Sequence, residues 1–161
     1  MSVTRLDKDF ASLTLTLVAD FHAPIERVWQ LWADPRQLER WWGPPSHPAT
    51  VERHDLSPGG EVTYFMTGPD GEKHRGWWRV TSVDPPRSLE FTDGFADQDG
   101  TPIADMPTTT AQVHLTEHDG GTRMELRSVF DSREQMEQML SMGAAEGLQQ
   151  AVGQMDALLA G

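Results

Sequence analysis

The 161-residue chain contains no cysteine, which excludes a disulfide framework and any thiolate chemistry. It has no apolar run approaching the ~20 residues of a membrane-spanning helix. Its first residues, MSVTRLDKDF, are charged and lack the apolar core of a signal peptide, so a cytoplasmic location is expected. Positive charge is scarce: 13 Lys and Arg stand against 25 Asp and Glu, a formal net charge of −12. Such a surface repels phosphate backbones, and Arg36 with Arg40 makes only a small basic pair, so no nucleic-acid partner is expected. G-x-S-x-G, the P-loop, G-x-G-x-x-G and H-E-x-x-H are all absent. The six histidines, His22, His47, His54, His74, His114 and His118, show no metal-ligand spacing on one helix, so neither a metal nor a cofactor is expected. The length suits one domain, able to bury a sizeable core without staples.

What the chain does have is tryptophan in one place. Four of its six tryptophans, Trp29, Trp32, Trp41 and Trp42, fall in the segment APIERVWQLWADPRQLERWWGPP. Pro24 suits the first position of a helix. Ile25, Val28, Trp29 and Trp32 then recur at helical spacing. Asp34-Pro35 breaks that helix, and Pro35 opens a second carrying Leu38, Trp41 and Trp42. Tryptophan at this density either fills a large core or walls a cavity.

Strands are predicted over 12–19, 50–54, 61–67, 73–83, 88–92, 109–117 and 122–130, from alternation and from turn residues between the runs. In 12–19, Leu13, Leu15 and Leu17 share one face. Residues 93–107 have little apolar content and many turn formers, and read as a loop over a mouth or edge. The closing segment keeps apolar residues at helical spacing from Met136 to Leu159, with Ser132 and Gln135 fitting a capping box. One helix of about 40 Å over 132–160 is expected, with Met139, Leu140 and Leu148 buried and Glu137, Gln149 and Asp156 exposed. Gly143, Gly147 and Gly153 within it imply close approach to the sheet or a bend. There are no internal repeats. The pattern is α+β: a strand, two short helices, six more strands and a long helix.

This order of motifs resembles the family named after the activator of heat-shock protein 90 ATPase, within the START/Bet v 1-like (SRPBCC) superfamily. The family pattern is matched at Ala23, Pro24, Val28, Trp29, Trp32, Asp34, Pro35 and the Trp41-Trp42-Gly43-Pro44 run. Asp55 with Pro58-Gly59-Gly60, Pro69-Asp70-Gly71, Gly76-Trp77-Trp78, Val83-Asp84-Pro85-Pro86, and Gly120-Gly121-Thr122-Arg123 follow in order. The resemblance spans roughly 12–160 and implies a helix-grip: a curved antiparallel sheet of about seven strands around a long C-terminal helix. Two departures stand out. Ser57 replaces an arginine usual in the family, and Gly147-Leu148 stands where many relatives have Gly-Trp.

The resemblance also implies an apolar pocket between sheet and helix. Its expected lining is Trp32, Trp41, Tyr64, Met66, Trp78, Phe91, Met124, Met136, Met139 and Leu140, against the alternative that these side chains fill their own core. Three functions compete: binding of a small hydrophobic or aromatic molecule, a polyketide cyclase or aromatase-type enzyme, and a chaperone-associated module. They rank in that order, because no catalytic residue is nameable from the sequence. Glu90 and Glu125 face outward by parity, and Asp55 reads as a turn residue. A buried titratable group in the pocket would favour the enzyme. The loop 93–107 would gate the pocket. A homodimer through Trp77, opposite in parity to Trp78, is the expected protein contact.

Overall fold

The computed structural model describes residues 3–160. Eight strands form one antiparallel sheet: β1 (Val3–Asp9), β2 (Thr14–Phe21), β3 (Ala49–His54), β4 (Glu61–Thr67), β5 (Lys73–Asp84), β6 (Ser88–Ala96), β7 (Thr109–His118) and β8 (Gly121–Val129). Their order across the sheet is β1-β2-β8-β7-β6-β5-β4-β3. Two short helices, α1 (Ile25–Ala33) and α2 (Pro35–Leu38), follow β2; three more, α3 (Arg133–Ser141), α4 (Ala144–Gly153) and α5 (Met155–Ala160), close the chain. No helix among the described residues is long and apolar enough to cross a membrane.

The strand not expected is β1. Its charged sequence, VTRLDKD, is nowhere fully buried, because it pairs only with β2 and forms the edge of the sheet. Charges suit an exposed edge, where they oppose pairing with another chain. Asp9 Oδ1 accepts the backbone N–H groups of Ala11 and Ser12, and Leu13 takes a positive φ of 57°. Leu13 therefore belongs to the β1–β2 turn and not to the strand face assigned above.

The helix pair forms as its sequence dictates. Asp34 caps α2, its side chain accepting the Arg36 N–H at 2.9 Å. Trp32 and Trp41 are fully buried with ring centroids 4.7 Å apart, edge to face. Trp41 also donates its indole N–H to the Leu31 carbonyl at 2.8 Å, so a ring from beyond α2 locks the end of α1. On the sheet, Trp78 stacks on Phe91 at 3.9 Å.

The closing helix is broken. Ser132 caps it as expected, accepting the Gln135 N–H at 3.1 Å, but the helix stops at Ser141 and restarts at Ala144. Gly143 lies between, at a left-handed φ of 88° that glycine adopts without steric cost. A Cβ on Gly143, Gly147 or Gly153 would meet nothing within 4 Å. Gly143 makes the break and Gly147 faces the cavity beneath α4; none of the three marks a close approach to the sheet. Gln154 ties the far end back to the tryptophan segment, donating to the carbonyls of Trp41 and Gly43 at 3.2 and 2.7 Å. Arg27 of α1 does the same for α5, through the Leu158 carbonyl at 2.7 Å.

Candidate ligand-binding site

Beneath the break in the helix lies a cavity of about 270 Å³. Its floor is the inner face of the sheet: Leu15, Leu126, Ser128, Ala111, Thr109, Phe95, Asp93, Tyr64 and Met66. Its roof is Met139 of α3 and Ala144, Gly147, Leu148 and Ala151 of α4, with Trp42 and Pro44 closing one end. A second cavity of about 110 Å³ adjoins it and shares Tyr64, Met66, Asp93, Phe95, Thr109 and Met139.

The polar element of this wall is made by register. Tyr64 on β4 is opposite Gly76 on β5, and Gly76 is opposite Phe95 on β6. A Cβ at Gly76 would collide with the Tyr64 phenol. The bare backbone thus lets the ring lie across β5, and its hydroxyl donates to Asp93 Oδ1 on β6 at 3.0 Å. Asp93 is half-buried and lines both cavities. Burial raises its carboxyl from 3.8 to about 7, although hydrogen bonds from Tyr64 and the Gly94 backbone oppose the shift. Burial, and then the neighbouring Asp93 charge, push the Tyr64 phenol well above its ordinary value. The indole N–H groups of Trp42 and Trp78 are buried without an acceptor in hydrogen-bonding geometry. They lie beside the Tyr64 hydroxyl, where they favour its ionised form.

Of the side chains expected to line a pocket, Tyr64, Met66 and Met139 lie on the cavity wall. Trp32, Trp41, Trp78, Phe91 and Met124 are buried in the main core. Met136 is buried in a smaller cluster with Leu15, Phe130 and Ala145, against which Met139, Leu140 and Leu148 are half-buried. Gln149 is also half-buried, whereas Glu137 and Asp156 are exposed. Met139 and Leu148 stay half-open because the space beneath them is the cavity.

Sequence reasoning missed Trp42, Asp93, Phe95 and Leu126 on the wall. Asp93 and Phe95 fall in the stretch that reads as a loop, yet β6 runs on to Ala96. The signal was present: both share the parity of Leu89 and Phe91. The loop itself begins after Ala96 and is partly ordered. Asp97 Oδ1 accepts the N–H groups of Asp99 and Thr101, and Pro102 bridges back to Ala96.

Other polar candidates have structural partners. Asp55 accepts the Ser57 hydroxyl at 2.7 Å, so Ser57 holds the turn. His54 Nε2 is 3.0 Å from the Trp32 carbonyl. Trp77 is half-buried; its ring covers Gly94 and its N–H is taken by the Phe95 carbonyl at 3.0 Å. It does not supply the exposed ring on which a homodimer contact was argued. His47, Glu72 and His74 place three candidate metal-ligand atoms within 4.8 Å of one another. Glu72 there also accepts the Asp70 N–H at 3.0 Å.

Residues 22–160 match the profile of the family described as activator of Hsp90 ATPase homolog 1-like protein. The chain belongs to that family. Its fold is the helix-grip of the START/Bet v 1-like superfamily, a fold suited to binding hydrophobic ligands. The crystal structure of protein Ms6760 from Mycobacterium smegmatis is 57% identical, with a TM-score of 0.90 over 98% of this chain and 96% of that one. A solution structure of a protein from Arthrobacter aurescens is 50% identical, with a TM-score of 0.95 over 99% and 92%. The AHSA1 protein from Silicibacter pomeroyi is 26% identical, with a TM-score of 0.72 over 91% and 97%. No curated protein matches.

Proposed function

We propose that this member of the activator of Hsp90 ATPase homolog 1-like family is a single-domain cytoplasmic protein that binds a small apolar or aromatic molecule between the sheet and α3–α4. The observation that carries this reading is the cavity of about 270 Å³, apolar over most of its wall, with the hydrogen-bonded pair Tyr64 and Asp93 and the hydroxyls of Thr109 and Ser128 as its polar groups. Concave, mainly apolar sites with few polar groups are where small molecules bind. A ligand that binds only the folded state raises its stability. A library of small hydrophobic compounds should therefore contain members that raise the melting temperature, and the same members should change tryptophan fluorescence through Trp42. No shift from any compound would sink the proposal.

Asp93 gives the enzymatic alternative its own support. A carboxyl held near neutrality is poised for general acid–base work, and among the described residues Asp93 alone is acidic on the wall of the larger cavity. On that reading a bound ligand would be converted, and chromatography of ligand incubated with wild type but not with Asp93→Asn would show product.

A further inference from the structure

The chemistry of the cavity wall narrows the ligand beyond "apolar". Among the described residues, no lysine, arginine or histidine lines the larger cavity, and no cation contributes to Asp93's titration. A carboxylate or phosphate on a ligand in the larger cavity would meet Asp93 with no positive side chain on that wall to offset it. The Tyr64 proton is already committed. Its oxygen has the Trp42 and Trp78 indole N–H groups beside it, and its hydroxyl donates to Asp93 Oδ1. The other carboxyl oxygen receives no side-chain donor among the described residues and belongs to a half-open residue on the wall.

Resting on the binding reading above, we propose that the cavity selects an aromatic ligand carrying one uncharged hydroxyl, with Asp93 as the side chain that reads it. A hydroxyl both donates and accepts. It can therefore give its proton to ionised Asp93 or accept one from neutral Asp93. An ammonium is best matched to the first state, and a carboxylate can bond only to the second. Because burial places Asp93 near the middle of its titration at neutral pH, only the hydroxyl keeps a partner throughout. The groups that face Asp93 do not replace it in this role. Tyr64 from β4 is held high, while Trp78 on β5, Thr109 on β7 and Met139 on α3 do not titrate. His74 and Arg75 also line the smaller cavity: His74 is exposed, and Arg75 is paired with Glu52 at 2.7 Å.

The test compares naphthalene, 2-naphthol and 2-naphthoate by titration calorimetry on the wild-type protein. Expected is 2-naphthol binding at least about tenfold tighter than naphthalene, the size of one hydrogen bond to a buried carboxyl. Naphthoate should bind more weakly than naphthol and weaken further from about pH 6 to pH 8, as Asp93 ionises. Asp93→Leu should keep naphthalene binding and lose the preference for naphthol. Should that variant fail to fold, the wild-type comparison decides alone. Equal binding of naphthalene and naphthol, or tightest binding of naphthoate, overturns the hydroxyl proposal and leaves the cavity standing. No binding of any of the three overturns both.

Discussion

Tyr64 and Asp93, on strands that are not neighbours, are joined by a 3.0 Å hydrogen bond that passes over the bare backbone of Gly76. The glycine is as much a part of the pair as the two side chains. Alanine at position 76 would push the phenol off β5, because its Cβ collides with Tyr64. We expect Gly76→Ala to cost about 1–3 kcal/mol, the range for overpacking a well-filled interior, and to weaken ligand binding. Chemical denaturation would measure the first effect; an unchanged midpoint would mean that Tyr64 has room to move.

The raised carboxyl of Asp93 predicts a pH dependence of stability. Its value is about 7 in the fold against 3.8 in the ordinary state. Below the lower value both folded and unfolded chains hold the proton, and the group costs nothing. As pH rises toward 7 the unfolded chain ionises first, so stability from this group falls across that window and levels off above it. Relative to Asp93→Asn, the wild type should lose stability between about pH 4 and pH 8. A difference between the two proteins that stays flat over that range would show that the cavity wall does not desolvate Asp93.

Trp41 is fully buried and bonded to the end of α1. Trp41→Ala should cost about 3–5 kcal/mol, as deletion of a large core ring does. A urea midpoint that does not move, with an unchanged slope, would contradict its anchoring role.

Position 148 controls the size of the cavity. Leu148 stands on the roof, and the space it faces is open. Leu148→Trp should occupy part of the cavity, abolish or weaken ligand-induced thermal shifts, and leave the unliganded fold intact. Undiminished binding would place the ligand elsewhere.

The glycines of the closing helices should part company. Gly147 has open space where a Cβ would go and no left-handed backbone, so Gly147→Ala should stabilise by up to about 1 kcal/mol through helix propensity. Gly143 has the same space but a φ of 88°, so Gly143→Ala should destabilise by about 1–2 kcal/mol. Paired thermal melts would distinguish them, and shifts of the same sign would refute the assignment of Gly143 as the break.

The sequence by itself determined most of the architecture. Alternation set strands β2 and β4 through β8, Pro24 and Asp34-Pro35 set the helix pair, and Ser132 set the start of α3. These are local effects of side-chain period and backbone restriction, legible over a few residues. The buried tryptophans 32, 41 and 78 followed from the same periodicity. Strand β1 escaped because its charged sequence, VTRLDKD, has no fully buried residue and so no apolar alternation to mark it. The end of β6 escaped because Asp93 and Gly94 look like turn residues when read locally. Only the tertiary structure decided which aromatics fill the core and which face a void, since that depends on where helices α3 and α4 sit above the sheet. It alone brought Tyr64, Gly76 and Asp93 together, because their meeting depends on register across three strands. A carboxyl's titration near neutrality then follows from the burial that this packing imposes, a property no stretch of sequence contains.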